Sequence, residues 1–226
     1  MVQKTRFPNI FESGGEKKKI LLTKSISPGM KVYGEKIIRI GKDEYREWDA
    51  WKSKLCAAIL KGASQIGLKE GNVVLYLGAS TGTTVSHVSD IVTNSGFVFA
   101  LDFAPRVMRE LVFLAEDRKN IAPVLADAAR PATFCGSVSQ ADWLYQDIAQ
   151  RDQAEIFLRN CDWFLKKDGF ALLCVKARSI DISKRPREIF QQTRKMLEDS
   201  RMVEVVEYRE LDPFQKDHCI FICKKR

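Results

Sequence analysis

Long apolar runs are missing from this chain of 226 residues. No stretch approaches the roughly 20 apolar residues that a membrane-spanning helix requires. The opening segment MVQKTRFPNIFESGGEKKK carries no apolar h-region, so the expectation is a cytoplasmic chain with no secretory signal and no membrane partner. Histidine is scarce, with only His87 and His218. The six cysteines (Cys56, Cys135, Cys161, Cys174, Cys219 and Cys223) form no C-x-x-C pair, and no histidine completes a metal-ligand spacing. Most of them lie in apolar runs such as FLRNCDWFL and FALLCVKA, where a reduced cysteine acts as a small core residue. The expectation is therefore a reduced protein with no bound metal. A Gly/Arg-rich low-complexity tail and internal repeats are absent as well.

What is present is enough apolar material, 45% of residues, to bury a core of ordinary domain size. The formal net charge is +8, which suits a polyanionic partner and equally suits simple solubility. Two regions differ in pattern. Residues 1–48 hold short β-like runs, KKILLTKS and KVYGEKIIRI, broken by turn residues at Ser27-Pro28-Gly29 and Gly34. They predict a small antiparallel β domain. From Asp49, a plausible N-cap, the residues Trp51, Leu55, Ala58 or Ile59, Gly62 and Ile66 recur at helical spacing.

Beyond that helix, strand-like and helical segments alternate: NVVLYL, TTVSHVSDIV, FVFALD, a helix opened by Pro105, APVLAD, ADWLYQDI, DQAEIFLRNCDWFLK, GFALLCVKA and PREIFQQTRKMLED. Two final strand-like runs, RMVEVVEYREL and HCIFICKK, have only a loop between them and should pair antiparallel. This order predicts an α/β fold over residues 49–226: a seven-stranded mixed sheet, doubly wound, closed by a C-terminal antiparallel hairpin. That is the methyltransferase variation on the Rossmann theme.

In such a sheet the ligand sits at the carboxyl ends of the strands, where strand order reverses. The first strand-to-helix turn is Gly78-Ala79-Ser80-Thr81-Gly82-Thr83-Thr84. It is not G-x-G-x-x-G, and no lysine follows Gly82, which disfavours a dinucleotide and excludes a P-loop. Tight turns use glycine whatever they bind, so the loop alone leaves function open. Asp102 adds direction: it ends the second strand 24 residues after Gly78, near the ~20-residue offset of a ribose-binding carboxylate. Phe103 follows it as a candidate adenine-packing ring, and Asp127-Ala128 ends the third strand where an acceptor for an adenine amino group belongs. A nucleoside without a phosphate clamp points to S-adenosylmethionine.

Methyl transfer to a hydroxyl requires in-line alignment and removal of a proton. A lysine whose pKa is lowered by burial and charge, oriented by a carboxylate, would serve. Asp147 ends the fourth strand and Lys176 ends the fifth, after a mostly apolar run that places a charge at its tip. Lys54 lies on the helix before the first strand, where the residue by itself reads more readily as a solvated charge, and His218 opens the last strand.

With these residues in place the chain resembles the fibrillarin family, RNA-guided 2′-O-methyltransferases of box C/D ribonucleoproteins. The resemblance is carried by VYGEK, YREWDAWKSKLCAAI, VLYLGASTGTTVSHVSDIV, ALDFAPRVMRELV, ADAARP, DWLYQDIAQRDQAEIFLRN, GFALLCVKARSID and FQKDHCIF. The missing Gly/Arg-rich tail makes it similar to the archaeal form. The resemblance implies a Lys54-Asp147-Lys176-His218 catalytic set. It also implies cofactor contacts around Gly78 and Ala79, at Thr83, Thr84, Asp102, Phe103, Asp127 and Ala128, and along Asp147, Ile148, Ala149 and Gln150. The family's usual glutamate at the ribose position is aspartate here, Asp102.

The partners so implied are a box C/D guide RNA, target rRNA or tRNA, a Nop-domain scaffold protein and a kink-turn-binding protein of ribosomal type. Arg178, Lys184, Arg185 and Arg187 flank the fifth strand's end and are candidate phosphate contacts. His87 is expected to pack or cap, and Lys17-Lys18-Lys19 and Lys224-Lys225-Arg226 to be solvated charge. Alternatives are a stand-alone ribose methyltransferase, a non-catalytic assembly subunit and, more distantly, a dehydrogenase.

Overall fold

The computed structural model describes residues 2–15 and 19–226. Five strands come first: β1 (Gln3–Lys4), β2 (Ile10–Ser13), β3 (Ile20–Lys24), β4 (Ile37–Ile40) and β5 (Asp43–Trp48). They form an antiparallel sheet in the order β1-β2-β3-β5-β4. The sequence pattern anticipated the antiparallel character but not β1, β2 or β5. β5, DEYREW, carries charge at four of its six positions, and the structure buries two of them, Glu44 and Arg46, instead of exposing them. Of the expected KVYGEKIIRI run only Ile37–Ile40 is strand, because Glu35 turns the chain by accepting the backbone N–H groups of Val32 and Tyr33. Lys17 and Lys18 lie outside the described residues; Lys19 pairs with Glu12 at 2.9 Å.

The second sheet holds β6 (Val73–Leu77), β7 (Phe97–Asp102), β8 (Ile121–Leu125), β9 (Ala141–Gln146), β10 (Leu165–Lys176), β11 (Val203–Glu210) and β12 (His218–Lys225). Their order is β11-β12-β10-β9-β6-β7-β8, with β12 antiparallel to both neighbours and β6 to β10 parallel. The predicted mixed sheet and terminal hairpin are both present. The helices are α1 (Lys54–Leu60), α2 (Thr83–Val92), α3 (Pro105–Asp117), α4 (Gln153–Phe164), α5 (Ala177–Ile180) and α6 (Pro186–Asp199).

Successive residues of β6 feed opposite layers, which is why the strand is apolar throughout. Val74 and Tyr76 pack with α1, α2 and α3, whereas Leu75 and Leu77 pack with α4 and α6. Each fully buried leucine contributes roughly 1.5–3 kcal/mol. The first layer also contains Phe7, Ile10, Leu21 and Trp48, so the N-terminal sheet shares this core. Five cysteines are buried and Cys135 is exposed; all six are free.

α1 is shorter than its pattern predicts. Ser53, not Asp49, caps it, with its hydroxyl 3.4 Å from the Cys56 N–H. Asp49 instead accepts the Trp51 N–H at 2.9 Å in the preceding turn. The helix stops before Gly62, whose φ of 87° belongs to the left-handed region. Lys225 also departs from the expectation of solvated charge: its ammonium donates to the Cys161 and Leu165 carbonyls, both at 2.7 Å, at the C-terminal end of α4.

A buried ionic cluster joins the two sheets. Asp90 on α2 accepts from Arg46 of β5 at 2.8 Å and from Arg118 at 2.6 Å, and Arg46 also meets Glu35 at 2.7 Å. His87, one turn earlier on α2, places its ring nitrogens 2.7 Å from the Thr23 hydroxyl and 2.8 Å from the Tyr33 hydroxyl. Burial, with Arg46 and Arg118 nearby, pushes the His87 pKa well below its ordinary value, so the ring is neutral and structural.

Candidate active site

β6 and β9 are neighbours whose chains continue to opposite sides of the sheet, so a crevice opens beyond their carboxyl ends. The first residues past those ends, Gly78 and Asp147, lie side by side, and the Asp147 N–H donates to the Leu77 carbonyl at 2.9 Å. Gly78 has φ 84°, and a Cβ there would fall on the Asp147 carbonyl oxygen. Only glycine permits this approach. A cavity of about 260 Å³ follows, lined by Gly78, Ser80, Leu101, Asp102, Phe103, Ala126, Ala128 and the segment Asp147–Gln150.

Asp102, at the tip of β7, has its carboxylate oriented by two backbone N–H groups. One carboxylate oxygen accepts the Ser80 N–H at 2.8 Å and the other the Ala104 N–H at 3.0 Å, leaving each oxygen a lone pair for a ribose hydroxyl. Phe103 beside it is 69% exposed, an open ring at the cavity wall. Leu101, Ala126 and Ala128 supply apolar surface opposite. A carboxylate pair of acceptors, apolar walls and no cationic phosphate clamp fit an adenosyl group.

The expected cofactor residues divide into two sets. Gly78, Asp102, Phe103, Ala128, Asp147, Ile148, Ala149 and Gln150 line the cavity. Ala79 is buried behind it, and its N–H is taken by the Leu101 carbonyl at 2.9 Å. Thr83 opens α2, and Thr84 is buried with its hydroxyl donating to Ser53 at 3.0 Å. Asp127 is half-buried and accepts the Ala129 N–H at 2.9 Å. Ser80, Leu101 and Ala126 line the cavity without having been singled out by sequence; at Ser80 the reason is a backbone contact, which side-chain type does not encode.

At the open edge of the cavity, Lys54 reaches Asp147 at 2.7 Å. Lys54 is the first residue of α1, so the Ser53 cap fixes its starting direction. Burial draws the Lys54 pKa down, but the charge and hydrogen bond of Asp147 outweigh it and leave the ammonium above its ordinary value. This corrects the expectation of a lysine lowered by its surroundings: the carboxylate at contact distance stabilises the charged form more than burial penalises it. Below the pair lie Tyr76, Tyr145 and Cys174, all buried, with the Cys174 thiol donating to the Tyr145 hydroxyl at 2.9 Å. Burial, reinforced by the Asp147 charge, pushes all three pKa values up, so the floor of the site is neutral.

Lys176 and His218 are cross-strand partners in the β10–β12 register, and Lys176 is exposed. His218 Nδ1 lies 2.6 Å from the Lys216 carbonyl. A carbonyl only accepts, so Nδ1 carries the proton and Nε2 is left as an acceptor. Burial lowers the His218 pKa; the Lys216 carbonyl and Asp147 oppose that, while Lys54 and Lys176 add to it. The basic candidates are spread outward. Arg178 pairs with Asp217 at 3.0 Å, beside His218, whereas Arg185 and Arg187 pair with Glu188 and Glu210 at 3.1 and 3.3 Å, and Lys184 donates to Gln192 at 3.3 Å.

Seven strands ending in an inserted antiparallel strand, with a cavity at the reversal point, define the class of S-adenosylmethionine-dependent methyltransferases. Within that class, the fibrillarin family model matches residues 1–226, and the chain belongs to this family. A relative from Methanocaldococcus jannaschii, a fibrillarin-like rRNA/tRNA 2′-O-methyltransferase, is 48% identical over 217 residues, 96% of this chain and 94% of its own. The structure of Aeropyrum pernix fibrillarin with natively bound S-adenosyl-L-methionine superposes with a TM-score of 0.90 at 41% identity, covering 99% of this chain and 97% of that one. A fibrillarin/Nop5p complex contains a chain matched at TM-score 0.89 and 38% identity, covering 99% of this chain and 100% of that chain.

Proposed function

We propose that this chain transfers a methyl group from S-adenosylmethionine to ribose 2′-hydroxyls of rRNA and tRNA, directed by guide RNA within a box C/D ribonucleoprotein. The observation that carries the chemistry is the Lys54–Asp147 contact of 2.7 Å on a carboxylate that also lines the cofactor cavity. The activity is the one its M. jannaschii relative is named for, and the Nop5p complex of a matched chain supports a Nop-domain scaffold as partner. A kink-turn-binding protein would join through the RNA and that scaffold.

Asp102 and the apolar walls would hold the adenosyl group, with the Asp147–Gln150 segment lining the same cavity. When bound, the cofactor supplies an activated sulfonium methyl. The 2′-hydroxyl is aligned by the Lys54–Asp147 pair for in-line attack. Because Lys54 is held protonated, the proton acceptor is the Asp147 carboxylate, with the ammonium fixing its orientation and charge. The Asp147 carboxylate would take the hydroxyl proton, made strongly acidic as the ribose oxygen gains the methyl and the sulfur loses it to become a neutral thioether. His218 Nε2 accepts a hydrogen bond from the RNA, and Lys176 and Arg178 neutralise phosphates beside it. Lys184, Arg185 and Arg187 extend that cationic rim.

The test is methylation of a guided target by a reconstituted particle carrying Asp147→Asn. The single-turnover rate should fall by about 10²–10⁴-fold, the range of a lost acid–base group. An unchanged rate would overturn the mechanism, and full activity without guide RNA would overturn the guided assembly.

A further inference from the structure

Of the four tryptophans, Trp48 and Trp143 are buried in the core, and Trp51 and Trp163 are exposed. Trp51 is the one near Lys54 in the chain. It is 62% exposed and directly precedes the segment that carries Lys54. Its ring packs edge-on against Phe214, with centroids 5.5 Å apart and planes at 70°. Phe214 belongs to the loop that leads into His218. Residues 163 positions apart in sequence thus form one aromatic surface between two of the site's segments.

The backbone beneath this surface is fixed while the indole is free. The Trp51 N–H donates to Asp49 at 2.9 Å, and its carbonyl accepts from the Gln215 amide at 2.6 Å. Three peptide units separate Trp51 from Lys54, so their Cα atoms lie within about 11 Å. A cleft of about 540 Å³ opens along the pair, with apolar walls from Ile20, Leu21, Ala50 and Leu60 and with Lys19, Glu47 and Asp49 in its lining, and it has room for a flat ring. Exposed lysines stand on either side in the chain, Lys52 next to Trp51 and Lys216 two residues after Phe214. Aromatic rings flanked by cations are the arrangement that stacks bases while neutralising the adjoining phosphates.

We infer that Trp51 and Phe214 form a stacking platform for an unpaired nucleobase of the RNA substrate, next to the nucleotide whose ribose is methylated. The inference rests on the Lys54–Asp147 pair being where the ribose hydroxyl reacts. Stacking there would anchor the strand and set the reach of the acceptor ribose to Asp147. Trp51 touches neither the cofactor cavity nor the reacting atoms, so it is a substrate-positioning residue.

The experiment is steady-state methylation by the full particle, with target RNA varied at saturating S-adenosylmethionine. Trp51→Ala should raise KM for the target about tenfold, in line with alanine replacement of a stacking ring. Trp51→Phe should stay within about threefold, because a flat ring remains. S-adenosylmethionine affinity of the free chain and its Tm should not move in either variant. An unchanged KM in Trp51→Ala overturns the platform. So does a loss of affinity for the scaffold protein measured without RNA, which would make Trp51 a protein contact. An Asp147→Asn particle run in parallel separates the two claims: if it is inactive while Trp51→Ala behaves as wild type, only the platform falls.

Discussion

Lys54 and Asp147 stand 93 residues apart in the chain and 2.7 Å apart in the fold. Their contact changes what each is suited to do. A buried lysine without a partner would lose its proton more readily; paired with Asp147 it keeps the proton above its ordinary 10.5. In the proposed mechanism the carboxylate is the acceptor, and burial keeps the His218 pKa below its ordinary 6.5, so the ring is neutral at neutral pH. The single-turnover rate should therefore be flat between about pH 7 and pH 10 and fall only in the acid range, where imidazolium forms. A rate climbing tenfold per pH unit across that plateau would make a lysine the base. A pH series in the reconstituted particle measures this directly.

Two elements set the geometry around these side chains. α1 begins at Lys54 because Ser53 caps it, and the same Ser53 hydroxyl receives the Thr84 hydroxyl from α2. The helix bearing Lys54 is thus tied to the helix that follows the Gly78 turn. The turn itself depends on Gly78, whose positive φ and missing Cβ let it pass the Asp147 carbonyl. Gly78→Ala should push this turn and the Asp147–Gln150 segment apart. Cofactor affinity should fall by about tenfold or more, since both segments line the cavity, while the strained backbone costs about 1 kcal/mol or more of stability. Calorimetric titration with S-adenosylmethionine tests it; an unaltered affinity would mean that the close approach does not shape the cavity.

Over the whole molecule, the N-terminal sheet is held to the larger one by a shared apolar core and by the cluster centred on Asp90. Asp90 is fully buried between two guanidinium groups, and replacing it with alanine leaves both cations without their shared partner. Asp90→Ala should cost about 3–5 kcal/mol, the penalty for uncompensated buried charge. A urea titration should show one lower midpoint for the whole chain, since both sheets contribute to one core. Two separate transitions, with the larger sheet unaffected, would mean that the cluster joins independent units.

Much of this architecture follows from local pattern. Val73–Leu77 is apolar on both faces and so must be covered on both; PREIFQQTRKMLED repeats at helical spacing and forms α6 over that same span. Turn chemistry picked out Gly78 and its spacing picked out Asp102, and the two line one cavity because both stand at strand ends, where such a sheet opens its crevice. Motif resemblance carried the family. Tertiary structure alone decided the rest. β5 is mostly charged, yet Arg46 lies inside because Asp90, on another element, neutralises it. Lys54 carried no local mark that distinguishes it from a solvated lysine; its pairing depends on the helix cap, the β6–β9 register and a carboxylate on another element. The Trp51–Phe214 surface is likewise invisible in a linear chain. Sequence fixes which residues prefer which local geometry, whereas contacts across 90 or more positions depend on how whole sheets and helices pack.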